Sequence, residues 1–226
     1  MLLMETISYQ QWLDAFKRKW KAGQHVLLVG HTGSGKTVAA QDMLMLRKYV
    51  VVIATKARDE SLDAYIRNGY KKLDEWPPAW NVRKVIFWRK PKSLGDFRGQ
   101  QVGIYQVMAD IFGRGGWCIS FDDLIYVTNT LKLKEPVKMF YTQARSQGIS
   151  IVANLQRPFW APLEAISQST YALVFAARDE HDIRRLAEGL SISFRELLAA
   201  IKELQEYQFI WVETGRAPIR VEKKEM

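Results

Sequence analysis

The chain has 226 residues, of which 48% are hydrophobic, and its 33 Lys and Arg against 24 Asp and Glu give a net charge of +9. The basic balance favours contact with polyanions, although a basic surface kept only for solubility would look the same. The single cysteine, Cys118, excludes an internal disulfide and a cysteine-rich zinc site, which fits a reducing cytoplasm. We expect no signal peptide and no membrane span, because no stretch approaches the roughly 18 apolar residues that a span requires.

Helix and strand patterns alternate along the chain. An amphipathic helix pattern opens it at 7–22, and a helix at 193–207 with a β-hairpin that turns at Gly215 closes it. Apolar, β-branched strand patterns lie at 25–30, 49–55, 84–88, 117–123, 149–156 and 171–177. Helix patterns at 36–47, 59–68, 100–112, 135–147 and 181–188 separate them. This alternation predicts an α/β fold with a mostly parallel central sheet flanked by helices.

Three irregular segments interrupt this pattern, at 74–84, 89–99 and 112–117, and none of them marks a domain boundary. We therefore expect one domain over residues 1–226, with a core at about 24–190. The amphipathic helix at 7–22 precedes this core, and the helix and hairpin at 193–222 follow it.

The segment GHTGSGKT, residues 30–37, lies between a strand pattern and a helix pattern and matches G-x-x-x-x-G-K-[ST]. We call it the phosphate loop, because its glycines allow successive backbone N–H groups to face phosphate oxygens. The helix that follows adds its positive amino end. We expect Lys36 to neutralise the β and γ phosphates and the Thr37 hydroxyl to bind Mg²⁺. The predicted ATP-binding residues are Gly30, Thr32, Gly33, Ser34, Gly35, Lys36 and Thr37.

An acidic pair, Asp122 and Asp123, ends the strand pattern WCISFDD. Phosphoryl transfer on such folds uses a second metal anchor at the end of a nearby strand, so we expect Asp122 to hold the water shell of Mg²⁺. Asp123 would then polarise the attacking water, a role that glutamate fills more often. The alternative is a pair of acids that caps the next helix.

A further group of polar residues lies around the strand pattern at 149–156. Gln156 ends this strand and could reach the γ-phosphate as a sensor of its presence. Arg157, or Arg145 on the preceding helix, could supply a cation that stabilises negative charge in the transition state. The alternative is a strand end followed by a proline-led loop with solvated arginines.

These three motifs, in this order, resemble the FtsK/HerA superfamily of P-loop ATPases, and ARSQGISIVANLQRP, residues 144–158, resembles the sensor segment of that family. The resemblance covers about residues 24–190 and implies a RecA-like ATPase core that assembles as a ring and pumps DNA through its centre. It makes Gln156 the sensor. It also makes Arg145 our preferred arginine finger, acting on the nucleotide of the neighbouring subunit.

The length of the chain resembles that of the small genome-packaging ATPases of membrane-containing icosahedral viruses and related phages. This resemblance implies ATP and Mg²⁺ as cofactors, double-stranded DNA as a partner, and a ring that is a hexamer or a pentamer. It also implies a portal or capsid vertex protein that anchors the ring. We therefore expect an ATP-driven DNA translocase in the host cytoplasm or at the packaging vertex of a virion.

Two basic loops, at 88–100 and 130–138, are candidates for contact with DNA phosphates, although each could be an ordinary solvated loop. Other functions stay open on the sequence. A helicase or a DNA-transfer motor in repair or conjugation would share the fold, and a nucleotide kinase would share the phosphate loop. A non-motor assembly protein could use ATP as a switch.

Overall fold

The computed structural model describes residues 4–79, 81–91, 93, 95–177 and 179–225. Within these residues, ten strands form one sheet with helices on both faces. The strands are β1 (Thr6–Ile7), β2 (His25–Val29), β3 (Val50–Ile53), β4 (Lys71–Leu73), β5 (Lys84–Phe87), β6 (Cys118–Phe121), β7 (Ser150–Leu155), β8 (Ser169–Val174), β9 (Phe209–Glu213) and β10 (Ile219–Val221). The α-helices are α1 (Tyr9–Lys19), α2 (Lys36–Met45), α3 (Leu62–Arg67), α4 (Arg98–Arg114), α5 (Lys134–Gln143), α6 (Leu163–Ser167), α7 (Glu180–Gly189) and α8 (Phe194–Lys202). A π-helix at Tyr126–Thr130 and 3₁₀ turns at Ala144–Gln147 and Pro158–Trp160 complete the helical segments.

Neighbouring strands follow the order β1-β10-β9-β8-β2-β7-β6-β3-β5-β4. β9 runs antiparallel to both of its neighbours, and the other paired strands are parallel. The strands from β8 to β4 in this order therefore all end at one side of the sheet, which we call the carboxyl edge. The predicted α/β fold with a mostly parallel sheet is confirmed.

Side chains alternate between the two faces of the sheet, and each face has its own core. On β2, Leu27 and Val29 belong to the core formed with α4 to α8, whereas Val26 and Leu28 belong to the core formed with α1, α2 and α3. Burial on both faces explains why the strands are almost continuously apolar. In the described part of the chain, no helix is long and apolar enough to cross a membrane.

The predicted amphipathic helix near the amino end is observed as α1. Ser8 caps it, because its side chain accepts a hydrogen bond from the N–H of Gln11 while the Gln11 side chain binds the N–H of Ser8. The buried face carries Trp12 and Phe16, which are fully buried among the aromatic residues of the second core. The helix ends at Lys19, earlier than the predicted boundary at residue 22.

The predicted carboxyl ends of three helices were wrong. α4 extends to Arg114, into the segment predicted as irregular, because Gly115, with φ of +70°, follows it and ends the helix. The helix predicted at 135–147 ends at Gln143, and only the 3₁₀ turn at Ala144–Gln147 continues it. The closing helix predicted at 193–207 ends at Lys202. β1, β4 and α6 were not predicted, since each has at most five residues and shows no clear period.

Candidate active site

Strand order brings the three predicted motifs together at the carboxyl edge. β7 lies between β2 and β6, so the loops that follow these strands are neighbours. When the observed register is extended by one residue, Gly30 lies beside Gln156 and Asp122 lies beside Asn154. The phosphate loop, the acidic pair and the end of the sensor strand therefore form one site, although they are far apart in sequence.

The phosphate loop leads from β2 directly into α2. Gly33 and Gly35 have φ of +81° and +98°, in the left-handed region that favours glycine, and Gly35 caps α2. A Cβ on Gly30 would lie 2.8 Å from both the Phe175 Cβ and the Ser34 Oγ, so glycine is required by close packing there. The first N–H groups of α2 lack carbonyl partners within the helix and carry the positive end of its dipole. This arrangement suits the binding of a phosphate group.

Lys36 lies over the phosphate loop. Its Nζ donates hydrogen bonds to the carbonyl oxygens of Gly30 and His31, each at 2.7 Å. Burial lowers the pKa of Lys36 to about 8, and the nearby carboxylate of Asp122 opposes this shift. A bound anion would raise this pKa again, because it stabilises the charged form. Lys36 is therefore held where a phosphate is expected, and it is mostly protonated at neutral pH.

The carboxylate of Asp122 is largely buried, with 11% of its side chain exposed. The backbone N–H of Asp122 donates to the Ile53 carbonyl at 3.2 Å, which fixes the residue at the end of β6. Its Oδ2 lies 2.9 Å from Lys56 Nζ but accepts no well-aligned hydrogen bond. Burial raises the pKa of Asp122, and the contact with Lys56 acts in the opposite direction.

Lys56 was not predicted as a site residue. It follows β3, which is the other neighbour of β6, and its Nζ also lies 3.4 Å from the Asp59 Oδ2. Partial burial lowers its pKa, but the contacts with Asp122 and Asp59 outweigh this effect, so its pKa is raised overall. No motif marks this lysine. The only signal in the sequence is its position just after a strand that ends at the carboxyl edge.

Asp123 has a structural contact that matches the alternative stated for the acidic pair. Its Oδ1 accepts a hydrogen bond from the backbone N–H of Tyr126 at 3.0 Å, at the start of the π-helical segment. The side chain is partly exposed and lines the same cleft as Lys36 and Asp122. Capping and a role in positioning water are compatible, since a carboxylate has two oxygens. The assignment of Asp123 as the catalytic base stays a prediction.

Two amides lie at the end of β7. Gln156 is exposed and lines the cleft, in agreement with its predicted position. Asn154 is buried, and its Oδ1 has no hydrogen-bond partner. Asn154 was not predicted, although a polar residue two positions before Gln156 in an apolar strand must share its face of the sheet.

The two predicted arginines lie outside this cleft. Arg157 is held within the chain by Asp179 and Asp182, to which its guanidinium donates hydrogen bonds at 2.7 Å each. Arg145 is exposed on the 3₁₀ turn that precedes β7. Because the six residues of β7 span roughly 20 Å, Arg145 lies near the opposite edge of the sheet from the phosphate loop. Neither guanidinium serves the cleft of its own chain in this structure.

The cleft has a volume of about 290 Å³. It is lined by Thr32, Gly33, Gly35, Lys36, Thr37, Val38, Lys56, Asp122, Asp123, Asn154, Gln156 and Tyr207. Three of the side chains at or beside it have buried oxygens without hydrogen-bond partners, those of Ser34, Asp122 and Asn154. Oxygen ligands of this kind fit Mg²⁺, which also keeps several waters. Within the described residues no cluster of three or more His, Cys, Asp or Glu could bind a metal alone, so waters and phosphate oxygens would supply the remaining ligands.

A second cavity, of about 280 Å³, adjoins the cleft. The two share Gly35, Val38 and Tyr207, so they meet at the start of α2. Phe175 and Phe209 give the second cavity aromatic walls. Tyr207 was not predicted as a site residue. Its φ of +65° is rare for a tyrosine and typical of functional sites and turns.

The fold and the geometry of this edge are those of a P-loop ATPase. A glycine-rich loop joins a parallel strand to a helix, an aspartate follows the strand two positions away, and the sensor strand lies between them. Comparison with known proteins gives more specific similarities.

No protein-family model matches the chain. It is 24% identical over 203 residues to the DNA packaging ATPase P9 of Enterobacteria phage PRD1, and the alignment covers 85% of this chain and 83% of P9. Its structure resembles that of the genome packaging NTPase B204 from Sulfolobus turreted icosahedral virus 2 in complex with AMPPCP, with a TM-score of 0.65 and 16% identity over 90% of this chain and 100% of B204. It also resembles VirB4 of Thermoanaerobacter pseudethanolicus, with a TM-score of 0.69 and 10% identity over 89% of this chain and 90% of that one. The predicted resemblance to small viral packaging ATPases is confirmed.

Proposed function

We propose that this chain is the ATPase subunit of a viral genome-packaging motor, which hydrolyses ATP to move double-stranded DNA. One observation supports this proposal most strongly. The phosphate loop, Asp122 and Gln156 converge on a single cleft in a chain whose sequence is similar, over 85% of its length, to a phage DNA packaging ATPase. A DNA-transfer motor is the second candidate, because the fold is also similar to that of a conjugation coupling protein, TcpA of pCW3, with a TM-score of 0.52 and 14% identity.

The phosphates of ATP would bind the phosphate loop, with Lys36 moving from its two carbonyl partners to the phosphate oxygens. The nucleoside would extend from the start of α2 into the adjoining aromatic cavity, where a flat base can pack against Phe175 or Tyr207. Thr37 and Asp122 would hold Mg²⁺, which supplies charge neutralisation to the phosphates when bound.

Hydrolysis would use the polar residues opposite the phosphate loop. Asp123 would orient a water molecule through the carboxylate oxygen that does not accept the hydrogen bond from the Tyr126 N–H. Gln156 would report the presence of the γ-phosphate, because it lies beside Gly30 in the register of β7 and β2. A hydrogen bond from this amide would be lost when the γ-phosphate leaves.

The cation that stabilises the transition state would come from a neighbouring subunit. Arg145 cannot reach the phosphate loop of its own chain, because it lies near the opposite edge of the sheet. An exposed arginine in this position suits an interface in a ring. Arg157 could act in the same way only if it gave up its hydrogen bonds with Asp179 and Asp182.

DNA would contact the basic loops through its phosphates, without reading of bases. The segment at 88–100 leaves β5 at the carboxyl edge, and its last three residues begin α4. The prediction of a loop over 130–138 was wrong in part, because residues 134–138 form the first turns of α5, where Lys138 pairs with Glu135 at 3.3 Å. Lys132, before this helix, is exposed at φ of +57°. We further propose that the subunits form a hexameric or pentameric ring. A portal or capsid vertex protein would anchor this ring, in the host cytoplasm or at the virion vertex.

ATP hydrolysis measured with and without duplex DNA tests the proposed function. We expect the wild type to hydrolyse ATP faster with DNA, and Lys36→Met to lose roughly 100-fold or more of this activity. Lys19→Met is the matched control, since Lys19 is an ion-paired, partly exposed lysine outside the cleft. A rate that does not respond to DNA would favour a switch protein, and transfer of phosphate to a nucleoside monophosphate would favour a kinase.

A further inference from the structure

Lys56 is the second lysine that lines the cleft, and its contacts differ from those of an ordinary surface ion pair. Its backbone is fixed from the neighbouring segment, because the Trp88 Nε1 donates to the Lys56 carbonyl at 2.7 Å. One residue earlier, the Thr55 carbonyl accepts a hydrogen bond from Gln100 Nε2 at 3.1 Å. The backbone is therefore held in place, while 52% of the side chain stays exposed to the cleft.

The ammonium group of Lys56 is bound by two carboxylates. It lies 2.9 Å from the Asp122 Oδ2 and 3.4 Å from the Asp59 Oδ2. The two contacts differ in their distances and in their hydrogen-bond geometry. The Asp122 contact lacks hydrogen-bond alignment, and the other oxygen of Asp59 is occupied by both the N–H and the hydroxyl of Ser61. Asp59 is thus held in place by Ser61, and because Lys56 has two carboxylate partners, its ammonium can keep the Asp59 contact if it moves away from Asp122.

Asp122 is also the residue expected to face Mg²⁺. A divalent cation held at Asp122, directly or through its water shell, would compete with the Lys56 ammonium for this largely buried carboxylate and repel it. Lys56 could then turn toward the phosphate oxygens of the nucleotide, which are the negative groups that binding adds to this cleft. Its side chain is exposed for this movement and lines the same cleft as the phosphate loop.

We propose that Lys56 is a phosphate-binding residue that pairs with Asp122 before nucleotide binds and contacts the terminal phosphate of the bound triphosphate. The inference rests on the proposed nucleotide site and adds to it a residue that distinguishes ATP from ADP. Lys36 would neutralise the β and γ phosphates from the side of α2. Lys56 would serve the γ-phosphate from the side of β3, opposite the helix end.

Equilibrium binding of fluorescent ADP and of a fluorescent, non-hydrolysable ATP analogue, both with Mg²⁺, tests this inference. We expect Lys56→Met to lower the ratio of triphosphate to diphosphate affinity about tenfold, the effect of one lost charged hydrogen bond, while ADP binds as in the wild type. Lys56→Gln serves as a second variant, and thermal unfolding verifies that each variant is folded. Lys19→Met should leave the ratio unchanged.

Two results would overturn the inference, and only one of them would also overturn the proposed function. If the wild type binds nucleotide and Lys56→Met weakens both nucleotides equally, Lys56 acts only on Asp122 and Asp59, and the proposed function is unaffected. If the wild type binds neither nucleotide, the proposed function fails and the role of Lys56 fails with it.

Discussion

Only some of the residues that line the cleft could be predicted from the sequence. Lys36 and Asp122 lie in motifs with a known spacing, so their positions could be predicted. Lys56 and Tyr207 reach the cleft through strand pairing and a loop near the end of the chain, which no local pattern encodes, whereas Asn154 could have been found from its alternation with Gln156 on one strand. The roles given to all of these residues stay predictions until variants are measured.

A substitution at Gly30 tests whether close packing around the phosphate loop contributes to the stability of the fold. We expect Gly30→Ala to destabilise the fold by about 1–3 kcal/mol, because the new Cβ would lie 2.8 Å from Phe175 and Ser34. Gly113→Ala is the matched control. Gly113 lies within α4 with nothing near its Cβ position, so alanine should be neutral or stabilise by up to about 1 kcal/mol. Urea unfolding measures both, and equal effects would contradict this packing role.

His25 should make stability depend on pH. It is buried at the start of β2, where its Nδ1 accepts a hydrogen bond from the Ile151 N–H at 3.1 Å. Burial lowers its pKa to about 4, and Arg145 contributes in the same direction. Since its pKa in the unfolded chain is about 6.5, the folded state prefers the neutral ring. Its contribution to stability is complete above about pH 6.5 and is lost as the pH falls toward 4.

The measurement is the free energy of unfolding at pH 7 and at pH 5. The wild type should lose about 2 kcal/mol more over this interval than His25→Asn, in which the amide oxygen can accept the same backbone hydrogen bond. Equal losses in the two proteins would show that His25 does not titrate in the folded state as described.

At the scale of elements, long periodic segments were predicted well and short ones were not. The six predicted strands are all observed, because their apolar runs reflect burial on both faces of the sheet. β1 could not be predicted, since it has two residues and pairs with β10 from the far end of the chain. Helix ends were wrong where glycine or a 3₁₀ turn decided the boundary, as at Gly115 and Ala144–Gln147.

The connection after β7 is held by α7, and this contact should be important for stability. Asp182 is 3% exposed, and it accepts hydrogen bonds from Arg157 Nε and from the Phe159 N–H, each at 2.7 Å. We expect Asp182→Ala to cost about 1–3 kcal/mol in the free energy of unfolding, because it removes a charged acceptor of two hydrogen bonds, while the exposed Arg157 guanidinium keeps its contact with Asp179.

Glu135→Ala gives the comparison for this prediction. Glu135 is 79% exposed at the start of α5 and pairs only with Lys138 at 3.3 Å among the contacts described, so its loss should cost less than about 1 kcal/mol. If the two variants have similar stability in urea, the connection after β7 does not depend on Asp182. The position of Gln156, which begins this connection, would then need another explanation.

At the scale of the whole molecule, the sequence predicted the sheet and most of its cleft, because the motifs follow strands that meet at one edge. The single-domain organisation stays a prediction, with one continuous sheet in its favour. The assembly could not be derived from one chain. Arg145 lies outside its own cleft, and the proposal that it completes the site of a neighbouring subunit is tested by mixing Arg145→Ala with Lys36→Ala subunits.

Displacement of a third strand from a DNA triplex tests translocation most directly. We expect the wild type with ATP and Mg²⁺ to displace the third strand and leave the duplex intact, and Lys36→Met to displace nothing. Triplex displacement that persists in Lys36→Met, or separation of the duplex strands by the wild type, would contradict an ATP-driven motor that pumps double-stranded DNA.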